Sequence, residues 1–185
     1  NLLKRNVQNR NQILRLTKEL RSTASSSTDI PFMIAVDQEG GIVNRFDFLN
    51  SKKKQLLLQS HDEAYEESLK RGRELKEIGI TVNFGPVADY VTDKKSYLYD
   101  RTFGVESEEI SSLASSMLNG YEDAGIQGTL KHFPGYGNII NDPHKASAGF
   151  DDSQLYEKSL QPFKEILSRN KNIAVMTAHI VIPHI

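Results

Sequence analysis

"IPFMIAV", Ile30 to Val36, is a continuous apolar run that stops abruptly at "DQEGG", Asp37 to Gly41. An apolar run with no polar alternation reads as a strand covered on both faces, which is the pattern of a parallel sheet packed between helices. Upstream, Leu2, Leu3, Val7, Ile13, Leu14, Leu16 and Leu20 recur at helical spacing until "STASSSTD", Ser22 to Asp29, breaks the pattern. That reads as a helix and then a linker. Downstream come a charged helix-forming stretch from about Lys52 to Gly79, the segment "ITVNFGPVADY" from Ile80, and a helix from Ser107 to Ala124 ended by Gly125. The short strand "IQGTL", a loop from Lys131 to Lys145, a helix from about Ser153 to Asn170 and the strand "IAVMTAHIVI" complete the chain.

Helix and strand thus alternate, with strand centres about 47 residues apart, which predicts parallel strands joined by helical crossovers. A doubly wound sheet and a (β/α) barrel both satisfy that order. Polar or charged residues close every strand: Asp37 after the first, Asn83 and Asp89 after the second, Lys131 and His132 after the third, His179 after the fourth. Barrel enzymes assemble their sites from such carboxyl ends. A dinucleotide-binding sheet would carry G-x-G-x-x-G after a strand, and none is present. The expected class is therefore α/β of the (β/α)8, TIM-barrel type, with residues 1–185 forming one partial barrel domain of about four to five βα units.

The chain has 185 residues, 38% hydrophobic and 25% charged, with net charge -1. This is ordinary globular composition with material for one core. The Lys52-Lys53-Lys54 triplet is the one basic cluster and reads as a solvated helix start, so no nucleic-acid partner is expected. There is no cysteine, which excludes a disulfide framework, a thiolate nucleophile and a thiolate zinc site. No apolar run approaches membrane-spanning length. The chain starts inside an amphipathic pattern without methionine and reads as the interior of a longer protein, leaving the compartment open between cytoplasmic and exported.

Two segments concentrate chemistry. In "DQEGGIVNRF" Asp37 can accept hydrogen bonds from a polyol and Gly40-Gly41 can let the backbone approach a ligand; an acidic turn with a surface salt bridge is the plainer alternative. Arg101 in "YDRTFG" can clamp a polar ligand or pair with a carboxylate. "KHFPGYGNIINDPHK", Lys131 to Lys145, crowds ionisable groups among Pro134, Gly135, Gly137 and Pro143 in what reads as neither helix nor strand. Pro143 pushes Asp142 towards an extended backbone, where residues two apart point the same way. Asp142 can then accept from Nδ1–H of His144, leaving Nε2 to exchange a proton. A metal held by His132, Asp142, His144 and Asp37 is the sharp alternative, but no H-x-H strand pair or H-E-x-x-H helix supports it. G-x-S-x-G, S-x-x-K and a phosphate-binding P-loop are missing as well.

In this order "IAVDQEGGIVNRF", "GITVNFGPVADY", "DRTFG", "KHFPGYG", "DPH" and "VMTAHI" resemble the family 3 glycoside hydrolases, in their β-N-acetylhexosaminidase (NagZ-like) branch, over nearly the whole chain. The resemblance implies a (β/α)8 barrel and retaining hydrolysis of terminal β-linked N-acetylglucosamine, for instance in peptidoglycan turnover. It implies that Asp37 binds sugar hydroxyls with Arg45 holding that corner, that Arg101, Lys131 and His132 line the sugar subsite, and that His179 supports it. His144 would be the general acid/base and Asp142 its orienting partner. No metal or organic cofactor is implied, and the partner is a carbohydrate. Two positions depart from the family pattern: Pro143 stands where serine is common, and Tyr136 where histidine is frequent. The nucleophilic aspartate of the family lies in a later strand motif, so the chain is expected to be a fragment without nucleophile, inactive alone and with exposed strand edges. A non-catalytic sugar-binding barrel and a β-glucosidase are the alternatives.

Overall fold

The computed structural model describes residues 6–140, 148–149, 153–170 and 172–181. Among them the order is α1 (Arg10–Ser25), β1 (Ala35–Val36), α2 (His61–Glu77), β2 (Val82–Asn83), α3 (Ser107–Asp123), β3 (Gln127–Phe133), β4 (Ala148–Gly149), α4 (Ser153–Arg169), β5 (Ala174–Thr177) and β6 (Ile180–Val181). β1, β2, β3 and β5 form one sheet in that order with every pairing parallel, aligning Ala35 with Val82, Val82 with Gln127 and Thr129 with Ala174. β4 and β6 form a second, two-stranded parallel pair. The strand–helix–strand repeat read from the sequence is thus present, in the arrangement of a partial TIM-type barrel.

Local chemistry sets the element ends. Asn9 caps α1 by accepting from the Gln12 amide at 3.0 Å, and Ser60 caps α2 by accepting from that of Glu63 at 3.2 Å. The two middle helices stop the same way. Gly79 (φ +83°) follows α2 and Gly125 (φ +71°) follows α3, and the next amides, Ile80 and Ile126, donate back to the Leu75 and Tyr121 carbonyls. This closes the last turn and turns the chain into the next strand. The main core lies between helices and sheet: Leu75, Ile78, Ile80, Met117, Tyr121, Leu130 and Phe163 are each at most 1% exposed. Gly120 lets α2 and α3 approach closely, since a methyl group there would lie 2.5 Å from the Tyr65 carbonyl oxygen.

Several sequence expectations are corrected. Strand pairing covers Ala35–Val36 rather than all of Ile30–Val36, because Ile30, Phe32 and Met33 are exposed instead of buried. The helix expected from Lys52 begins at His61; residues 52–54 lie in neither helix nor strand, and a single 3-10 turn covers Gln55–Leu57. The lysine triplet is no helix start: Lys53 pairs with Glu63 and Lys54 with Asp100, while the Lys52 carbonyl accepts from Gly41. β3 extends through Phe133, so Lys131 and His132 belong to a strand rather than to a loop. The fourth expected strand is split into β5 and β6.

Pro162 lies inside α4 and has no amide hydrogen for the Lys158 carbonyl one turn back. The hydroxyl of Ser107, at the start of α3 and 2% exposed, donates to that carbonyl at 2.8 Å. Ser107→Ala should therefore cost about 1–3 kcal/mol in urea denaturation, the cost of stranding a polar group. In a Pro162→Ala background, where the helix can supply its own amide, the same change should cost clearly less.

Candidate active site

The carboxyl ends of the parallel strands bring ionisable side chains from distant sequence positions together. Asp37 follows β1, Asp89 follows β2, Lys131 and His132 end β3, and Arg101 lies on the 3-10 turn Tyr99–Arg101 between β2 and α3. The Lys131 ammonium, only 1% exposed, donates to Asp37 Oδ1 at 2.9 Å and lies 2.6 Å from Glu39 Oε1. Arg101 grips the other side of Glu39 as a fork, Nε to Oε2 at 2.9 Å and Nη2 to Oε1 at 2.8 Å. Burial alone would push the Glu39 carboxyl up, but the two cations outweigh it and hold the carboxyl at about 2. Burial works against the Arg101 charge too, and the Glu39 carboxylate more than restores it, raising the guanidinium above its ordinary value.

A buried polar chain fixes the turn that carries both acids. The Gln38 amide donates to Asn83 Oδ1 at 3.0 Å, and Asn83 Nδ2 donates to the Gln38 carbonyl at 3.0 Å and to the Tyr121 hydroxyl at 2.9 Å. Arg71, fully buried, donates to that hydroxyl at 3.3 Å, to the Lys53 carbonyl at 2.8 Å and to Glu67 at 3.0 Å. Gly40 (φ +85°) passes directly over this group, with no room for a side chain: a Cβ would lie 2.4 Å from the Lys53 carbonyl oxygen.

His132 is held from the other side. Asp89, fully buried, accepts from the His132 ring Nδ1 at 2.7 Å, from the His132 amide at 3.2 Å and from the Tyr136 amide at 2.8 Å. The Tyr136 ring packs on the imidazole at 5.1 Å between centroids, and its hydroxyl accepts from the His179 amide at 2.7 Å. The Lys131–His132 and Phe133–Pro134 peptides are cis.

Of the residues singled out from the sequence, the structure brings Asp37, Arg101, Lys131 and His132 into one cluster, with His179 joined to it through Tyr136. Arg45 contributes its backbone amide to the Gln38 side chain at 2.8 Å, and its Nε is buried with no hydrogen-bond partner among the described residues. Asp142 and His144 lie outside the described residues. Sequence reasoning gave Glu39 no role, and it placed Asp89 at a strand end without assigning it to the site. Glu39 sits two positions after a strand end, where a glycine pair follows it; Asp89 sits past Pro86 in an extended stretch, and only the three-dimensional neighbourhood of His132 exposes its role. The described residues contain no group of three or more His, Asp or Glu placed to hold a metal ion, and no helix long and apolar enough to cross a membrane.

The depressed Glu39 value has a consequence for stability. A carboxyl lowered on folding contributes stability that is present above its unfolded value of 4.5 and is lost as pH falls through about 2. At about 1.4 kcal/mol per tenfold change in proton affinity, the contribution is about 3 kcal/mol. Wild-type protein should lose that much more stability than Glu39→Gln between pH 5 and pH 2 in denaturant titrations, and Glu39→Gln should be the less stable of the two at pH 7.

The chain as a whole is similar to known proteins. The model for the glycosyl hydrolase family 3 N-terminal domain matches residues 1–185. Beta-hexosaminidases of Actinobacillus succinogenes and Haemophilus influenzae are 33% and 32% identical over 97% of the chain, which covers 54% and 53% of their lengths. The chain thus spans about half the length of these curated relatives. Among solved structures, a family 3 β-N-acetylglucosaminidase from a Paenibacillus species superposes with a TM-score of 0.87 at 32% identity, covering 98% of this chain and 36% of that one. NagZ from Neisseria gonorrhoeae, in complex with N-trifluoroacetyl-D-glucosamine, gives 0.86 at 30% identity, covering 98% and 56%. The family model and these relatives both match nearly all of the 185 residues, and the chain belongs to the glycosyl hydrolase family 3 N-terminal domain family.

Proposed function

We propose that the protein carrying this chain is a glycosidase that releases terminal β-linked N-acetylglucosamine with retention, in the turnover of peptidoglycan or another amino-sugar polymer. The observation that carries the reading is the cluster of Asp37, Glu39, Arg101, Lys131 and His132 at the carboxyl ends of parallel strands. Lys131 and Glu39 are sealed inside, whereas the side chains of Asp37, His132 and Arg101 keep 18%, 12% and 10% of their surface. The exposed edge therefore offers acceptors from Asp37 and His132 beside the donors of Arg101, which suits the hydroxyls of a sugar ring. Names of similar proteins point the same way: relatives called beta-hexosaminidase, and a NagZ solved with an N-acylated glucosamine.

Asp37, Arg101 and His132 form the open edge of the sugar subsite in this reading, with Lys131 beneath them holding Asp37 and Glu39, and His179 and Arg45 at its margins. The proton shuttle is His144: Asp142 accepts from its Nδ1–H, and Nε2 donates to the leaving oxygen and later takes a proton from the attacking water. Asp142 also stabilises the imidazolium form needed for the first of these steps. No residue of the chain is assigned as nucleophile.

Full-length protein should release 4-nitrophenol from its β-N-acetylglucosaminide faster than from its β-glucoside. His144→Ala should slow the first reaction by about 10²- to 10⁴-fold, the range for losing a general acid/base. Folded protein that turns over neither substrate yet binds N-acetylglucosamine would refute the assignment in favour of a sugar-binding barrel; preference for the glucoside would make it a β-glucosidase.

A further inference from the structure

We propose that Asp89 is a positioning residue that locks His132 as the neutral Nδ1–H tautomer, so that Nε2 carries no hydrogen and its lone pair, which meets Arg101 Nη2 at 3.4 Å, can instead accept from a hydroxyl of the ligand in the sugar subsite. The argument begins with groups whose roles are fixed. Asp89 Oδ1 receives the Tyr136 amide at 2.8 Å and Oδ2 receives the His132 amide at 3.2 Å; amides can only donate, so both carboxylate oxygens act as acceptors. The His132 ring meets the same Oδ2 through Nδ1 at 2.7 Å, which places a proton on Nδ1.

The opposite ring nitrogen leads to the same conclusion independently. Nε2 lies 3.4 Å from Arg101 Nη2, and a guanidinium nitrogen offers hydrogens and no lone pair. A proton on Nε2 would set donor against donor beside a fixed positive charge. A protonated Asp89 donating to Nδ1 is excluded on the same ground, because it would force the ring proton onto Nε2. One carboxylate behind the ring and one cation in front of it thus select a single tautomer.

Tyr136 completes the cradle. Its amide occupies one Asp89 oxygen, its ring covers the imidazole, and its hydroxyl takes the His179 amide, tying the ring's position to the segment after β5. An asparagine at position 89 cannot reproduce this. Its NH₂ group would have to face either the Tyr136 amide, donor against donor, which displaces the ring that covers the imidazole, or the His132 amide and ring, which draws the ring proton away from Nδ1; either changes the setting of His132.

The hydroxyl-selecting part of this inference rests on the proposed glycosidase reading; the tautomer does not. The test is ¹⁵N NMR of the histidine side chains in full-length protein, with His132 assigned by its loss in His132→Gln, together with kinetics of Asp89→Asn. Expected in the wild type at neutral pH is a His132 ring with hydrogen on Nδ1 and a bare Nε2 whose resonance moves when N-acetylglucosamine is added. Expected for Asp89→Asn is a redistributed ring proton and a KM for the aryl N-acetylglucosaminide raised about tenfold, with kcat changed much less, as for a lost binding contact. A wild-type proton on Nε2, or on both nitrogens, overturns the proposal, and that spectrum decides even if the variant does not fold. A folded Asp89→Asn with unaltered ring signals and KM also overturns it. Absence of turnover with hydrogen on Nδ1 would refute the glycosidase reading while supporting the tautomer.

Discussion

The structure is organised around one buried cation. Lys131 carries its ammonium into a place where 1% of the side chain reaches solvent, and desolvating such a charge costs several kcal/mol even after relaxation. Only close counter-charges recover that cost. Asp37 and Glu39 supply them at 2.9 and 2.6 Å, and Arg101 balances the second acid. The cluster ties together the end of β1, the end of β3 and the turn before α3, which are far apart in the chain. A shift of any of these segments by one residue would leave a charge buried without a partner, so the electrostatics enforce the register that the short strands only weakly define.

Two acids on a five-residue turn would be too loosely held without the second polar layer. Gln38, between them, is gripped through both backbone groups by Asn83, and Asn83 is held by Tyr121, whose hydroxyl meets Arg71. The chain of contacts runs from helix α2 through helix α3 and strand β2 to the peptide joining the two carboxylates. Each buried polar group in it is satisfied by the next, which makes such a network rigid rather than costly. The one exception is Arg71 Nε, which is buried without a hydrogen-bond partner among the described residues. The helices that form the outer layer thereby set the positions of atoms at the strand ends.

What could be read from the sequence divides along the same physical line. Alternating elements and parallel pairing were legible because "IPFMIAV" and the spacing of later strands reflect burial and chain length, which are local or additive properties. The start of α2 was misplaced because helix-forming composition from Lys52 onward is overridden by tertiary demands: Gly41 needs the Lys52 carbonyl and Arg71 needs that of Lys53. Lys131, His132, Asp37 and Arg101 were legible as candidates because each ends a strand or interrupts a pattern. Glu39 was not, and Asp89, though placed at a strand end, had no readable role, since a carboxylate beside a glycine pair and another past a proline look like turn residues until their partners, 62 and 43 residues away, are in place. Tyr136 departs from the family pattern, yet it is fully integrated: it packs on His132 and receives the His179 amide.

The commitments inside this cluster also bear on where proton transfer can originate. A general acid must hold a proton it can release and a geometry that frees it to do so. Lys131 spends its charge on two carboxylates, and Glu39, held at about 2, is ionised throughout the neutral range. Arg101 cannot deprotonate, and Asp89 is sealed behind His132 with three donors on it. His132 uses its Nδ1 on Asp89, and its Nε2 lies 3.4 Å from a guanidinium nitrogen. These residues are therefore held in fixed donor and acceptor roles. In the proposed glycosidase reading the acid is therefore drawn from outside this cluster, the part given to Asp142 and His144, nine and eleven residues after Phe133 in the chain.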